Sequence, residues 1–234
     1  MKIEKIKRYL VLTVLFFLPV AFLLILYPST HNYEPLEIVN NQVKDIPASS
    51  EVKLRDHITV LAFFGNRPID KAIAGSNLKE LVYDKFKGFK KFQIVVVGQK
   101  GTEDEYDTFN KEIAKFEDLK FWHYVFLSEG KTRELYTSLK FDQDLDESLS
   151  SEEVIIIDKD LNQRGRLDDR EEKDIEAKKP ITQLLTYNTI EVSEIKNKMS
   201  DDMRILFTEY RQKRKGKFQN SDSRRANDLK QINE

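Results

Sequence analysis

The sequence predicts an α/β fold: a sheet with parallel central strands, helices on both faces and an antiparallel hairpin at one edge. Three β-branched and aromatic runs of strand length, His57 to Gly65, Phe92 to Gly98 and Phe121 to Leu127, are each followed by a polar stretch with apolar residues at helical spacing. A fourth apolar run, Val154 to Ile157, passes through a polar turn, Asp158 to Asn162, into a returning strand, Gln163 to Leu167. Strands separated by helices return in parallel through crossovers, whereas a short turn permits only an antiparallel return.

The 234 residues, 40% of them hydrophobic, suffice for one domain with a core plus appendages. Formal charges nearly cancel at −1, so the overall field favours no nucleic-acid partner. The absence of Cys excludes disulfides, thiolate catalysis, thiolate metal sites and cysteine lipidation.

At the N-terminus, Lys2, Lys5, Lys7 and Arg8 precede an uncharged run from Tyr9 to Tyr27. At helical rise this run spans roughly 28 Å, the thickness of a bilayer's hydrocarbon core. It lacks the short apolar region and small-residue cleavage site of a signal peptide, so an uncleaved anchor is expected. The positive-inside bias places residues 1–8 in the cytoplasm and the remainder outside, which in a bacterium means a single-pass inner-membrane protein with a periplasmic domain. Residues 28–51 are expected to be a tether, with extended pieces near Leu36 to Val39 and Val52 to Leu54.

The domain is expected over 52–190. Its first helix covers Ile69 to Lys87, with Ile73, Leu78, Leu81, Val82 and Phe86 on one face. A second starts at a Thr102 cap and presents Tyr106, Phe109, Ile113 and Phe116. A short third helix lies in "KTRELYTSLK". Residues 191–215 form an amphipathic helix whose stripe of Ile195, Met199, Met203, Leu206 and Tyr210 is expected to pack on the domain's own sheet, and 216–234 a disordered basic and polar tail. The order βαβαβαββ with a closing helix is thioredoxin-like in outline.

The anchor, the strand ending "VLAFFG", the turn "FFGNRPIDKA" and above all "VIIIDKDLNQRGRLDD" resemble the SCO/SenC family over roughly Val52 to Asp169. Members of that family are thioredoxin-fold proteins of bacterial and mitochondrial inner membranes that assist copper insertion into cytochrome c oxidase. The tail containing "MSDDMRILFTEYR" is similar to that of a membrane-anchored Bacteroidetes-type branch. The family's copper site uses a C-P-x-x-C-P segment in the strand-to-helix turn and a His before the hairpin strand, since soft ligands select Cu(I). Laid over this sequence, the two Cys positions fall on Arg67 and Lys71, the first Pro on Pro68, and the His position within Ser148 to Glu153. None of these side chains supplies the ligand. The resemblance therefore implies a degenerate site with no cofactor and no catalysis, in which Arg67, Pro68 and Lys71 are candidate partner contacts.

Other chemistry finds little support in the residue pattern. His31, His57 and His123 share no metal-ligand spacing. "DQDLDESLSSEE" lacks the alternation and Gly of an EF-hand and reads as a solvated loop. Arg67 and Lys71 read as a solvated first helical turn, although cations there oppose the helix dipole and hint at an acidic partner group. The expected role is binding at a respiratory membrane complex or a copper-assembly protein, without nucleic acid. Two other readings stand beside it: a metal-binding protein or enzyme using non-Cys ligands, and a cytoplasm-facing adaptor whose basic "RQKRKGK" contacts lipid.

Overall fold

A computed structural model describes residues 2–26, 35–41, 43–47, 51–115 and 117–214. His31, Phe116, Tyr27, most of the first half of the expected tether and the expected tail at 216–234 lie outside the described residues. Two units are distinguished, Met1–Glu34 and Pro35–Glu234.

The first unit carries helix α1, Lys2–Leu26, with Pro19 inside it. Among the described residues, no helix is long and apolar enough to cross a membrane. The expected span, Tyr9 to Tyr27, runs past Phe22, the last α1 residue whose side chain is described.

The second unit is built on a sheet whose main path runs β1-β6-β5-β2-β3-β4, with β7 (Tyr187–Asn188) pairing β5. Strand β2 (Ile58–Gly65) lies parallel to β3 (Phe92–Gln99), and β3 parallel to β4 (Trp122–Leu127). Strand β5 (Ser150–Ile157) runs antiparallel to β2 and turns into the short β6 (Gln163–Gly165). This is the thioredoxin-like α/β arrangement. Strand β1 (Glu37–Asn40) is antiparallel to β6, so the second part of the stretch read as a tether contributes a sheet edge. The extended piece expected at Val52 to Leu54 forms no strand; Leu54 instead buries its side chain completely.

Strands β2, β3 and β5 are buried on both faces, which explains their near-continuous apolar sequence. Alternation then divides the core. Val60, Ala62, Phe64, Val154 and Ile156 face one side with α2 (Ala72–Leu78) and α4 (Glu103–Ala114). Leu61, Phe63, Ile155 and Ile157 face the other, with α5 (Glu129–Thr137).

The expected helix at Ile69 to Lys87 is not uniform. It opens as a 3-10 turn, Pro68–Lys71, continues as α2, passes through a π-helical stretch, Lys79–Tyr83, and ends in α3, Asp84–Phe86. The expected Thr102 cap is not made: its hydroxyl turns back and donates to the Gln99 carbonyl at 2.7 Å. Beyond the small α6 (Glu172–Glu176), the C-terminal helix starts as a π-helical stretch, Glu194–Met199, and continues as α7, Ser200–Arg214. Ile195, Met199, Met203 and Leu206 are fully buried in the core with β2, β3 and β5, as their stripe predicts.

Charged groups reinforce that packing. Arg164 on β6 donates to Asp158 at 2.6 Å and to Glu209 of α7 at 3.0 Å, and all three are buried. Arg166 donates from Nε and Nη2 to Asp202 at 3.0 and 2.8 Å, and the Tyr187 hydroxyl donates to the same carboxylate at 2.7 Å. The hairpin that dominates the sequence pattern thus also anchors the last helix.

Candidate functional site

Strand β2 ends at Gly65 in the left-handed region, φ 63°. The chain must pass close to the loop before β5 here: a Cβ on Gly65 would lie 1.9 Å from the Ser148 carbonyl oxygen. The Asn66 amide donates to that same oxygen at 2.9 Å, and the Tyr106 hydroxyl donates to the Gly65 carbonyl at 2.9 Å. These contacts hold the β2–α2 turn against the segment 146–150.

Pro68 starts the 3-10 turn, where its fixed φ suits the geometry and its missing N–H costs nothing, and it is buried. The two cations beside it separate. Arg67 is 69% exposed and its Nη2 pairs with Asp70 at 2.9 Å, which agrees with the solvated reading. Lys71 departs from it: its side chain is only 12% exposed, and its Nζ lies 3.9 Å from both Asp146 and Glu152. The acidic group hinted at by the dipole conflict is therefore within the same chain. Exposed pairs contribute about 0.2–1 kcal/mol each, enough to offset a dipole cost of about 0.3–1 kcal/mol.

Asp146 is itself fixed. It accepts from the hydroxyls of Ser148 and Ser150 at 2.7 Å each and from the Ser150 amide at 2.8 Å. Partial burial pushes its carboxyl up, but the serine hydrogen bonds and the Lys71 charge together hold it below the usual carboxylate range. Leu149 between the serines is buried with φ 60°, a conformation that a branched side chain holds only where surrounding contacts impose it.

The reading of "DQDLDESLSSEE" as a solvated loop holds for part of it. Asp144 and Glu147 are exposed. Glu153 is buried and accepts from the amides of Asp142 and Gln143 at 3.2 and 3.3 Å. Burial pushes its carboxyl up despite those amides. Sequence reasoning named Arg67, Pro68 and Lys71 but missed Asp146, Ser148, Ser150 and Glu152 as their counterpart. The available signal was the alignment of the family's ligand-bearing His with Ser148 to Glu153, which places that loop opposite the turn.

The turn carries no sulfur and no imidazole, so it offers fixed charges and hydrogen bonds. Among the described residues, no group of three or more His, Asp or Glu is arranged to hold a metal ion. His57 Nδ1 lies 3.1 Å from the Arg55 carbonyl. Burial lowers the His123 pKa, and the nearby His57 charge lowers it further.

No protein-family model matches the sequence, and no curated protein matches it. Among solved structures, neighbours include members of the SCO/SenC group and thioredoxin-like thiol-disulfide oxidoreductases. A SCO1/SenC family lipoprotein from Bacillus anthracis is 14% identical, with a TM-score of 0.46 over 74% of this chain and 97% of its own. The soluble domain of Sco1 from Bacillus subtilis is 12% identical, with a TM-score of 0.43 over 73% and 94%. The thioredoxin domain of a thiol-disulfide oxidoreductase from Bacteroides vulgatus is 13% identical, with a TM-score of 0.37 over 63% and 96%.

Proposed function

We propose that this chain is a non-catalytic, membrane-anchored, SCO-like protein that acts by binding, in the assembly or maintenance of a respiratory membrane complex. Cytochrome c oxidase biogenesis is the process suggested by the sequence resemblance. The observation that carries the binding reading is the unequal fate of the two cations at the positions where that family has its thiolates. Lys71 is drawn inward between Asp146 and Glu152, which stiffens the turn internally. Arg67 stays 69% exposed, Ile69 in the same 3-10 turn exposes 51% of its surface, and Ile73, expected on the packed face with Leu78 and Val82, instead exposes 67%. A cation next to apolar side chains on a braced turn suits an acidic, partly apolar protein surface. Thiol exchange is excluded outright because the sequence contains no Cys.

The test is a photo-crosslinking side chain at position 67 in the native membrane. Recovery of an oxidase subunit or a copper-handling protein is the expected result; repeated recovery of neither overturns the respiratory assignment. A C-terminal alkaline phosphatase fusion, active only outside the cytoplasm, tests the periplasmic placement.

A further inference from the structure

The sheet has two outer edges, and they are treated differently. Strand β1 is four residues long, carries Glu37, and slips register between Ile38 and Asn40. Short length, charge and a bulge are the devices by which an edge avoids pairing with another chain. Strand β4, Trp122–Leu127, has none of them: six residues, "WHYVFL", without Pro, without a formal charge at neutral pH, and in unbroken register with β3.

The direction of its backbone groups follows from that register. The Ile94 amide donates to the Phe121 carbonyl and the Lys100 amide to that of Leu127, so the odd-numbered residues of β4 bond to β3. Trp122, Tyr124 and Phe126 therefore turn their amides and carbonyls to the outer edge. The Trp122 amide donates to the Leu119 carbonyl. Among the described residues, nothing accepts from the amides of Tyr124 and Phe126 or donates to their carbonyls.

We propose that β4 is a self-association edge, at which two copies of this chain pair antiparallel about a two-fold axis at Val125 and continue one sheet into the next. In this register Tyr124 of each copy faces Phe126 of the other. The pairing uses the four outward groups of each strand and leaves the Trp122 amide with Leu119. It also creates two aromatic cross-strand pairs, a side-chain combination that favours antiparallel pairing. Just beyond the paired residues lie exposed Lys120 and exposed Glu129, the latter 3.0 Å from Arg133 of its own chain, so the two-fold sets opposite charges at each end of the pairing. A second copy is preferred over a foreign strand because one register satisfies backbone, aromatic and charge matching together.

The test is amide hydrogen exchange on the unaltered full chain in detergent, at two protein concentrations about a hundredfold apart. The Tyr124 and Phe126 amides are expected to slow several-fold at the higher concentration, while those of His123 and Val125, already bonded to β3, do not change. Unchanged exchange at Tyr124 and Phe126 overturns the proposal, even if the chain dimerises through another surface. As a second measurement, the double substitution Tyr124→Cys/Phe126→Cys brings Cys pairs to about 5.5 Å between Cα atoms, within disulfide range. Oxidation is then expected to give a reducible dimer, and the native chain contributes no competing thiol. A yield no higher than that of a Lys131→Cys control overturns the proposal as well.

Discussion

Two regions of this domain set charges against the sheet, and they differ in how completely they remove water. At the C-terminal interface, Arg164 and Arg166 meet the carboxylates of Asp158, Glu209 and Asp202 at 2.6–3.0 Å, with Asp158 and Asp202 fully buried. At the β2–α2 turn, Lys71 stands 3.9 Å from carboxylates that are about half exposed. Planar guanidinium groups, fixed in several directions at once, suit the first setting, and a flexible ammonium the second. In the first arrangement a missing partner leaves buried polar groups short of a hydrogen bond. The second can be altered at modest cost, because its carboxylates already share water.

Removal of the C-terminal carboxylates is expected to have the largest effect. Asp202→Ala leaves Arg166 and the Tyr187 hydroxyl without their shared acceptor, and Glu209→Ala leaves Arg164 partly unpaired. Glu209→Ala is expected to cost about 3–5 kcal/mol in urea unfolding, since it removes part of the compensation of a buried charge. Asp202→Ala is expected to cost about 1–3 kcal/mol, chiefly from the buried Tyr187 hydroxyl, because Arg166 is 30% exposed and keeps Asp169 at 2.8 Å. Gly65→Ala comes next, at about 1–3 kcal/mol or more, because the position combines positive φ with a contact to backbone. Lys71→Ala is expected to lose about 0.5–1.5 kcal/mol, read by the same unfolding curves.

A smaller effect depends on pH. The folded state lowers the His123 pKa below its ordinary 6.5, so just below that pH the unfolded chain binds more protons. Stability should therefore fall as pH drops below about 6.5, with a slope no steeper than about 1.4 kcal/mol per pH unit from this group, and level off below the folded pKa. His123→Gln should remove that component when melting is compared at pH 7 and pH 5.5. Arg67→Ala closes the series. Its stability change is expected within about 0.5 kcal/mol, because an exposed pair contributes little. Its effect should appear instead in crosslinking to the proposed partner, which separates a contact residue from a structural one.

Element order was legible in the sequence because period and composition are local properties. The runs "HITVLAFFG" and "FQIVVVG" can satisfy their apolar residues only between two helical layers, and "VIIIDKDLNQRGRL" admits only a hairpin. The stripe Ile195, Met199, Met203 and Leu206 likewise states which face of the last helix is covered. Less legible was the mixed character of the helix after Pro68, since 3-10, α and π turns differ by small shifts in hydrogen bonding that packing selects. The fate of Thr102 was hidden for the same reason: as a cap its hydroxyl oxygen would accept from an amide of the first turn, whereas packing leaves the hydroxyl donating to the Gln99 carbonyl.

At the candidate site, the chemical inventory follows from composition and order alone: no thiol, no imidazole, and cations at both thiolate positions of the family the chain resembles. The sequence also placed Arg67, Pro68 and Lys71 at a strand-to-helix turn. That these two cations, four residues apart, have opposite surroundings follows from the packing of the sheet. Arg67 remains in water while Lys71 meets Asp146 and Glu152, residues 75 and 81 positions further along the chain. That meeting depends on β2 lying beside β5 and on Gly65 letting the loop at Ser148 approach within contact distance. Sequence spacing reports neighbours on one helix or strand, whereas long-range pairing is set by sheet register and close packing.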